Sequence, residues 1–283
     1  MLMPIEEPPR SRTPLKWAGN KYRVLEHIKS RLPAGRRLIE PFTGSAALFL
    51  NTRYPHYLLN DINPDLIHFY RTLQQHGAEF IRYAERFFTD KHNTKTAYYE
   101  HRERFNSSRR SRLKAALFLY LNRHGYNGLC RYNASGRFNV PFGRYKRPYF
   151  PAKELSLFAE KAQGIAFTSD DFATTLRQAR AGDVVYCDPP YVPLSATASF
   201  TAYSAGGFGP AQQAMLAELA SELASQGVPV LISNHCTPAT RVLYAQAATS
   251  EFAVRRTISC SAMQRNEVSE LLAVYKPQQS EMR

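Results

Sequence analysis

No stretch of the 283-residue sequence holds the roughly 18 consecutive apolar residues that a membrane-crossing helix needs. The opening MLMPIEEPPRSRTP carries prolines and charges in place of an apolar signal core. A cytoplasmic protein with no membrane partner and a loose arm over residues 1–13 is therefore expected. Cysteine is scarce. Cys130, Cys187, Cys236 and Cys260 form no C-x-x-C pair and accompany no histidine pair at zinc spacing, which argues against a disulfide framework and against a bound metal. No internal repeat or low-complexity tract is visible. Acid is also in short supply: 37 lysines and arginines face 23 aspartates and glutamates, for a net charge of +14.

That excess is concentrated in one place. Between residues 101 and 150 twelve lysines and arginines, mostly arginines, face the single acid Glu103, and they are interleaved with Tyr120, Tyr126, Tyr132, Phe138, Phe142, Tyr145 and Tyr149. A charge run often marks only a solvated face. Arginine's planar fork, however, suits phosphates and guanine edges, and aromatic rings suit bases, so this segment is expected to bind nucleic acid, with Arg144 among its candidate contacts.

At this length an α/β domain with an insertion is the expected organisation. RLIE (37–40) reads as a short apolar strand ending in Glu40, followed by a glycine loop at Gly44 and helix formers from Ala46 to Leu50. Strand, glycine turn and helix open many nucleotide-binding units, because glycine permits close backbone approach and the helix start offers free amides. YLLND (57–61) reads as a second strand ending in Asp61, 17 positions after Gly44. An acid near that spacing can meet ribose hydroxyls; the plain alternative is an Asx turn, since Asn63-Pro64 starts a helix expected to reach about Gln75. Further helices are predicted over 112–123 and from Pro210 to a stop at Gly227. Strands are predicted in VPVLISNH (228–235), over 252–259 and over 270–276, the last two as an antiparallel pair.

The stretch VVYCDPPYVP (184–193) begins as a strand that must stop at Asp188, because Pro189 and Pro190 lack an amide proton and have a fixed φ. Asp-Pro-Pro is also ordinary turn chemistry. In open α/β sheets, however, ligands sit outside the carboxyl ends of strands, and Gly44, Asp61 and Asp188 all fall at predicted strand ends.

PLKWAGNK (14–21), EPFTGSAALFLN (40–51), LNDINPDL (59–66), LFLYLNRHGYNGLCRYN (117–133), FNVPFGRYKRPYF (138–150) and VVYCDPPYVPLSATASFTAY (184–203) resemble, in order, the blocks of the Dam family of adenine-N6 DNA methyltransferases. The resemblance spans most of the chain. It implies a Rossmann-like α/β core, residues 14–62 and 152–283, that binds S-adenosylmethionine and releases S-adenosylhomocysteine. A mostly helical target-recognition domain over 63–151 interrupts that core. The implied reaction is methyl transfer to N6 of an adenine flipped out of double-stranded DNA, in GATC, by a monomeric, nucleoid-associated enzyme without a metal. The sequence leaves open whether such an enzyme serves mismatch repair and replication timing, or belongs to a restriction system or mobile element with a related target.

Carried over position by position, Asp188, Pro189, Pro190 and Tyr191 match the family's catalytic tetrapeptide. Trp17, Lys21, Asp61 and Asp188 match its cofactor positions. Gly44 belongs to the loop against the methionine part, and Asp171 and Phe172 fall beside the cofactor adenine. Lys16 and Arg131 match guanine contacts, Leu129 and Pro141 nearby base contacts, Tyr126 and Asn127 the residues that wedge into the duplex, and Tyr145 a further DNA contact. The segment SATASFTAYSAGG (195–207) is expected to close over the flipped base. Two positions depart from the family pattern. Asn20 replaces a glycine and is expected to tolerate positive φ, whereas Ala46 replaces a loop glycine and is expected to tighten the cofactor loop. SCSAMQRNEV (259–268) also lacks the family's glycines, and no role is assigned to it.

Overall fold

The computed structural model describes residues 10–192, 207–255 and 267–277. Nearly all of the expected closing segment, most of the 259–268 loop and most of the 1–13 arm lie outside the described residues.

Strands β1 (Arg37–Glu40), β2 (His56–Asn60), β3 (Ala166–Thr168), β4 (Asp183–Cys187), β5 (Val230–His235), β6 (Ala248–Arg255) and β7 (Glu267–Tyr275) form one sheet in the order β3-β2-β1-β4-β5-β7-β6. The first five in that order are parallel, and β7 runs antiparallel to both β5 and β6. The chain winds outward through β2 and β3 on one side of β1, then returns to β4 on the other. That reversal leaves a crevice beyond the carboxyl ends of β1 and β4, where a doubly wound sheet binds its ligand. Glu40 and Asp188 stand on its two sides.

Both faces of a parallel sheet need cover, and the alternation along the strands provides for it. Leu38, Tyr57, Leu59, Val184, Tyr186 and Leu231 belong to one buried cluster, while Ile39, Leu58, Val185, Cys187, Val230 and Ile232 belong to the other. Helices α7 (Phe172–Leu176) and α8 (Pro210–Ser225) supply the second face. The first face takes α1 (Leu25–Lys29), α2 (Ala47–Asn51), α3 (Pro64–Glu85), α5 (Arg112–His124) and α6 (Ala152–Lys161), with α4 (Lys95–Ser107) contributing Tyr98 and Phe105. A last short helix, α9 (Pro238–Leu243), follows β5.

Helix α3 starts where Asn63-Pro64 predicts: the Asn63 side chain accepts from the amides of Asp65 and Leu66, and Pro64 occupies the first turn. Its first segment ends close to Gln75, as expected. Gly77 adopts φ 42° and ψ −122°, a break that glycine accommodates, and helix then resumes to Glu85 because Phe80, Ile81 and Ala84 find buried sites. The late antiparallel pair begins at Ala248 rather than 252, and residues 256–259 of that expected strand lie outside the described residues. Between α5 and α6 the chain is largely irregular, with one 3-10 turn at Tyr126–Gly128 and the isolated bridges Gly125↔Phe142 and Tyr132↔Phe138.

Candidate active site and recognition loop

Asp188 is the first residue beyond β4, and its side chain is 22% exposed. Lys21, buried at the start of a 3-10 turn, donates its Nζ to Asp188 Oδ1 at 2.8 Å and to the Gly19 carbonyl at 2.8 Å, and the same ammonium lies 4.5 Å from the centre of the Tyr191 ring. Burial raises the Asp188 pKa to about 6; Lys21 opposes that shift and the charge of Glu270 adds to it. The Asp-Pro-Pro-Tyr turn is held from behind. Gln213 of α8 donates to the Pro190 carbonyl at 2.8 Å, Asn234 Oδ1 accepts from the Val192 amide at 3.0 Å, and Asn234 and Gln213 bond each other and Tyr244. Tyr191 donates its hydroxyl to Glu270 Oε2 at 3.1 Å and meets the edge of His235, whose Nδ1 bonds the Val192 carbonyl. Among the described residues none donates to the Pro189 carbonyl.

Asp61 lies one residue beyond β2. Its Oδ2 accepts from the Gly44 amide at 3.0 Å and its Oδ1 from the Asn63 amide at 2.9 Å, so the Asx turn and the link to the glycine loop exist together. Each oxygen keeps acceptor capacity. Burial raises the Asp61 pKa to about 6 against those two bonds. Gly44 sits at φ 47°, its carbonyl accepts from Tyr70, and a β-carbon there would lie 2.7 Å from the Trp17 indole nitrogen. Trp17, Gly44 and Asp61 are thus one contiguous surface, with Ile62 beside them 57% exposed. Asn60 ties in the next loop: it donates to the carbonyls of Pro41 and Asp170 and accepts from the Asp170 amide. Asp171 caps α7, and Phe172 stacks on Phe42 at 5.5 Å, with Phe208 against both.

The two departures resolve differently. Asn20 sits at φ −52°, so no left-handed tolerance is used; its Oδ1 accepts from the Tyr22 amide and caps the turn that carries Lys21. Gly19 takes the positive φ instead. Ala46 does occupy the left-handed region, φ 59°, and as the residue preceding α2 it offers no side-chain cap. Buried Glu40 of β1 lies beside that helix start, where the Phe49 amide favours its charged form. Burial first, then the charge of Asp188, raises Glu40 to about 8, and its Oε1 has no partner among the described residues.

On the basic side, Asn122 of α5 accepts from the Lys16 amide at 2.9 Å and donates to the carbonyls of Lys16 and Gly128, joining the N-terminal block to the 126–129 turn. Lys16 Nζ lies 3.9 Å over the Tyr145 ring, and the Tyr145 hydroxyl accepts from the Asn127 amide at 3.0 Å. The Tyr126 amide donates to the Pro141 carbonyl and the Leu129 amide to the Tyr126 carbonyl. Tyr126 is 48% exposed and Asn127 sits at φ 53°. Lys16, Tyr126, Asn127, Leu129, Pro141 and Tyr145 are therefore gathered in one place. Arg144 is exposed beside them at φ 54°, and Arg131 is exposed with its Nε held by Asn139 Oδ1 at 2.8 Å.

A family profile described as D12 class N6 adenine-specific DNA methyltransferase matches residues 17–258. The chain belongs to that family. DNA adenine methylase of Escherichia coli K12 is 52% identical over 268 residues, covering 95% of this chain and 96% of that protein. The protein of that name from Serratia marcescens is 52% identical, covering 94% and 99%, and one from Vibrio cholerae N16961 is 49% identical, covering 95% and 97%. Among solved structures, precorrin-6Y C5,15-methyltransferase of Geobacter metallireducens aligns over 95% of each chain at 8% identity with a TM-score of 0.38, too weak a likeness to say anything about this chain. As a D12 methyltransferase the protein is an enzyme that methylates adenine N6 in DNA and takes its methyl group from S-adenosylmethionine. No helix among the described residues is long and apolar enough to cross a membrane, and no described group of histidines, cysteines and acids could hold a metal ion.

The chemistry of the polar set fits the methyl donor. The Lys21 ammonium, two carboxylates just beyond strand ends and a glycine loop are the groups that a ligand with a carboxylate, an amine and a ribose diol would require. The sequence reading had no place for Gln213, Asn234 and Glu270, which brace the tetrapeptide from α8, β5 and β7. Their partners are remote in sequence, and only the SNH ending of a predicted strand hinted that polar groups reach this sheet edge.

Proposed function

We propose that the crevice between β1 and β4 holds S-adenosylmethionine and a flipped adenine together, and that the enzyme methylates GATC. The observation that carries this reading is Asp188, held by Lys21 at 2.8 Å, at the carboxyl end of the strand where the sheet order reverses. S-adenosylmethionine supplies an electrophilic methyl group on a positively charged sulfur. Asp61 receives the ribose hydroxyls, the Gly44 loop with Trp17 lies against the methionine part, and exposed Ile62 with Phe172 borders the adenine. Lys21 engages Asp188 Oδ1 and leaves Oδ2 to accept one N6 hydrogen, while the Pro189 carbonyl accepts the other. Drawing on both hydrogens favours a pyramidal nitrogen with its lone pair directed at the methyl group. As positive charge reaches N6, the Asp188 carboxylate stabilises it and then accepts the departing proton. A pKa raised to about 6 suits both duties, since the group is about nine-tenths ionised at pH 7 yet more basic than an ordinary aspartate. Tyr191 stacks on the base, with its ring fixed by Glu270 and His235.

Arg131 reads one guanine and Lys16 another, Leu129 and Pro141 contact neighbouring bases, Tyr126 and Asn127 enter the gap the adenine leaves, and Arg144 and Tyr145 contact the backbone. Such an enzyme works on the nucleoid as a monomer. Asp188→Ala tests the chemical assignment: single-turnover methylation is expected to fall by about 10²-fold or more, while affinity for a GATC duplex stays within about threefold, because the phosphate contacts lie elsewhere. Retained turnover would remove Asp188 from the reaction.

A further inference from the structure

Tyr191 carries one hydroxyl proton and has two carboxylates around it. The hydroxyl donates to Glu270 Oε2 at 3.1 Å, and it also lies near enough to Asp188 to lower that group's proton affinity. Glu270 reaches the tetrapeptide from β7, where it stands opposite His235 of β5 in the antiparallel ladder. Residues directly opposite on adjacent strands project to the same face of the sheet. The His235 ring meets the Tyr191 ring at 80°, with 4.7 Å between centres. Two neighbouring strands thus hold one ring, β5 by its body and β7 by its hydroxyl. Glu270 lies outside the blocks of sequence that resemble the family.

We propose that Glu270 is a positioning residue that draws the Tyr191 hydroxyl proton away from Asp188, so that the Asp188 oxygen not held by Lys21 stays open to an N6 hydrogen of adenine. This rests on the reading of Asp188 as the acceptor at N6. The chemistry is a competition between donors for one carboxylate. A hydrogen bond from Tyr191 to Asp188 spreads the carboxylate's charge onto a group that takes no part in the reaction and makes the carboxylate a weaker base. Without Glu270 the partly buried hydroxyl still needs an acceptor, and Asp188 is the acid within reach. The charge of Glu270 acts in the same direction, since a second carboxylate raises the proton affinity of Asp188. Lys21 opposes it, and Glu40 of β1 and Tyr186 and Cys187 of β4 face the same carboxylate.

The test is the single-turnover methylation rate of the full chain from pH 5 to 8, with saturating S-adenosylmethionine and a duplex with one GATC, for Glu270→Ala and Glu270→Gln, each made in wild type and in Tyr191→Phe. At pH 7 Glu270→Ala is expected to slow the wild-type background about tenfold but the Tyr191→Phe background about twofold or less, because with the hydroxyl gone nothing competes for Asp188. Glu270→Gln keeps an acceptor oxygen for the hydroxyl and is expected to recover most of that loss, to within about threefold of wild type. The midpoint of the acid limb, about 6 in wild type, is expected to fall by about half a unit or more in Glu270→Ala. A merely structural defect would slow both backgrounds alike and leave the midpoint in place. Should Glu270→Ala not fold, Glu270→Leu takes its place in the same cycle. Equal slowing in both backgrounds, or no slowing in either, would overturn the proposal. Asp188→Ala is run alongside to separate the two readings. Retained turnover there removes Asp188 from the reaction and the proposal with it, whereas lost turnover there beside equal slowing in both backgrounds removes the role of Glu270 alone.

Discussion

Two acids, buried Glu40 and partly exposed Asp188, flank the crevice with different loads. Asp188 has Lys21 at 2.8 Å, whereas Glu40 has an oxygen without a partner among the described residues. Both are raised by burial, Asp188 to about 6 and Glu40 to about 8; the charge of Asp188 adds to the shift at Glu40, and the charge of Glu270 to the shift at Asp188. On the proposed mechanism Asp188 acts ionised, so the methylation rate at saturating substrates is expected to fall as pH drops through about 6, tenfold per unit on the acid limb; a rate constant from pH 7 to pH 5 would exclude it as the proton acceptor. Glu40 also faces Lys161, Tyr57, Tyr70 and Tyr186. Because its folded pKa exceeds its unfolded one, the native state binds the extra proton between about pH 4.5 and 8, and stability falls as pH rises through that window. Glu40→Gln keeps the neutral shape at every pH. Urea denaturation should show a flatter stability profile from pH 5 to 8, with the variant gaining on wild type by a few kcal/mol at the alkaline end.

The elements behave much as their sequences predict wherever the cause is local. Asn63-Pro64 starts α3, Pro210 starts α8, and Pro189-Pro190 ends β4, each through a fixed φ or a side-chain cap. Local signals are silent where tertiary burial decides: helix resumes beyond the break at Gly77 because Phe80, Ile81 and Ala84 are buried. Asp61 and Asp188 were legible as acids at predicted strand ends, and Lys21 only through the family resemblance. The bracing by Gln213, Asn234 and Glu270 was not, because it joins three elements distant in the chain. Ala46 shows strain that the family resemblance could flag but only the backbone could locate. An alanine at φ 59° is about 1 kcal/mol less favourable than glycine, so Ala46→Gly is expected to raise stability by about that much and to shift the melting temperature up by a degree or more. A lowered melting temperature would mean that the methyl group's burial outweighs the strain.

At the scale of the whole molecule, the helices between residues 64 and 124 and the sheet share a core. One buried cluster runs from Leu38 and Tyr186 of the sheet through Phe69 and Tyr70 of α3 to Leu117 and Phe118 of α5 and Phe138 beyond it. Asn122 further clamps the block carrying Lys16 to that helix. Calorimetric unfolding is therefore expected as a single transition; two resolved transitions would show that the inserted segment folds independently. On the proposed reading, the same continuity keeps the base reader and the adenine site at a fixed distance. The most direct test of that joint arrangement is to incubate unmethylated plasmid with the protein and S-adenosylmethionine and to map N6-methyladenine at single-base resolution. Methyl groups confined to the adenine of GATC, and absent with Asp188→Ala, are the predicted result. Modification spread over other sequences, or equal modification by Asp188→Ala, would contradict it.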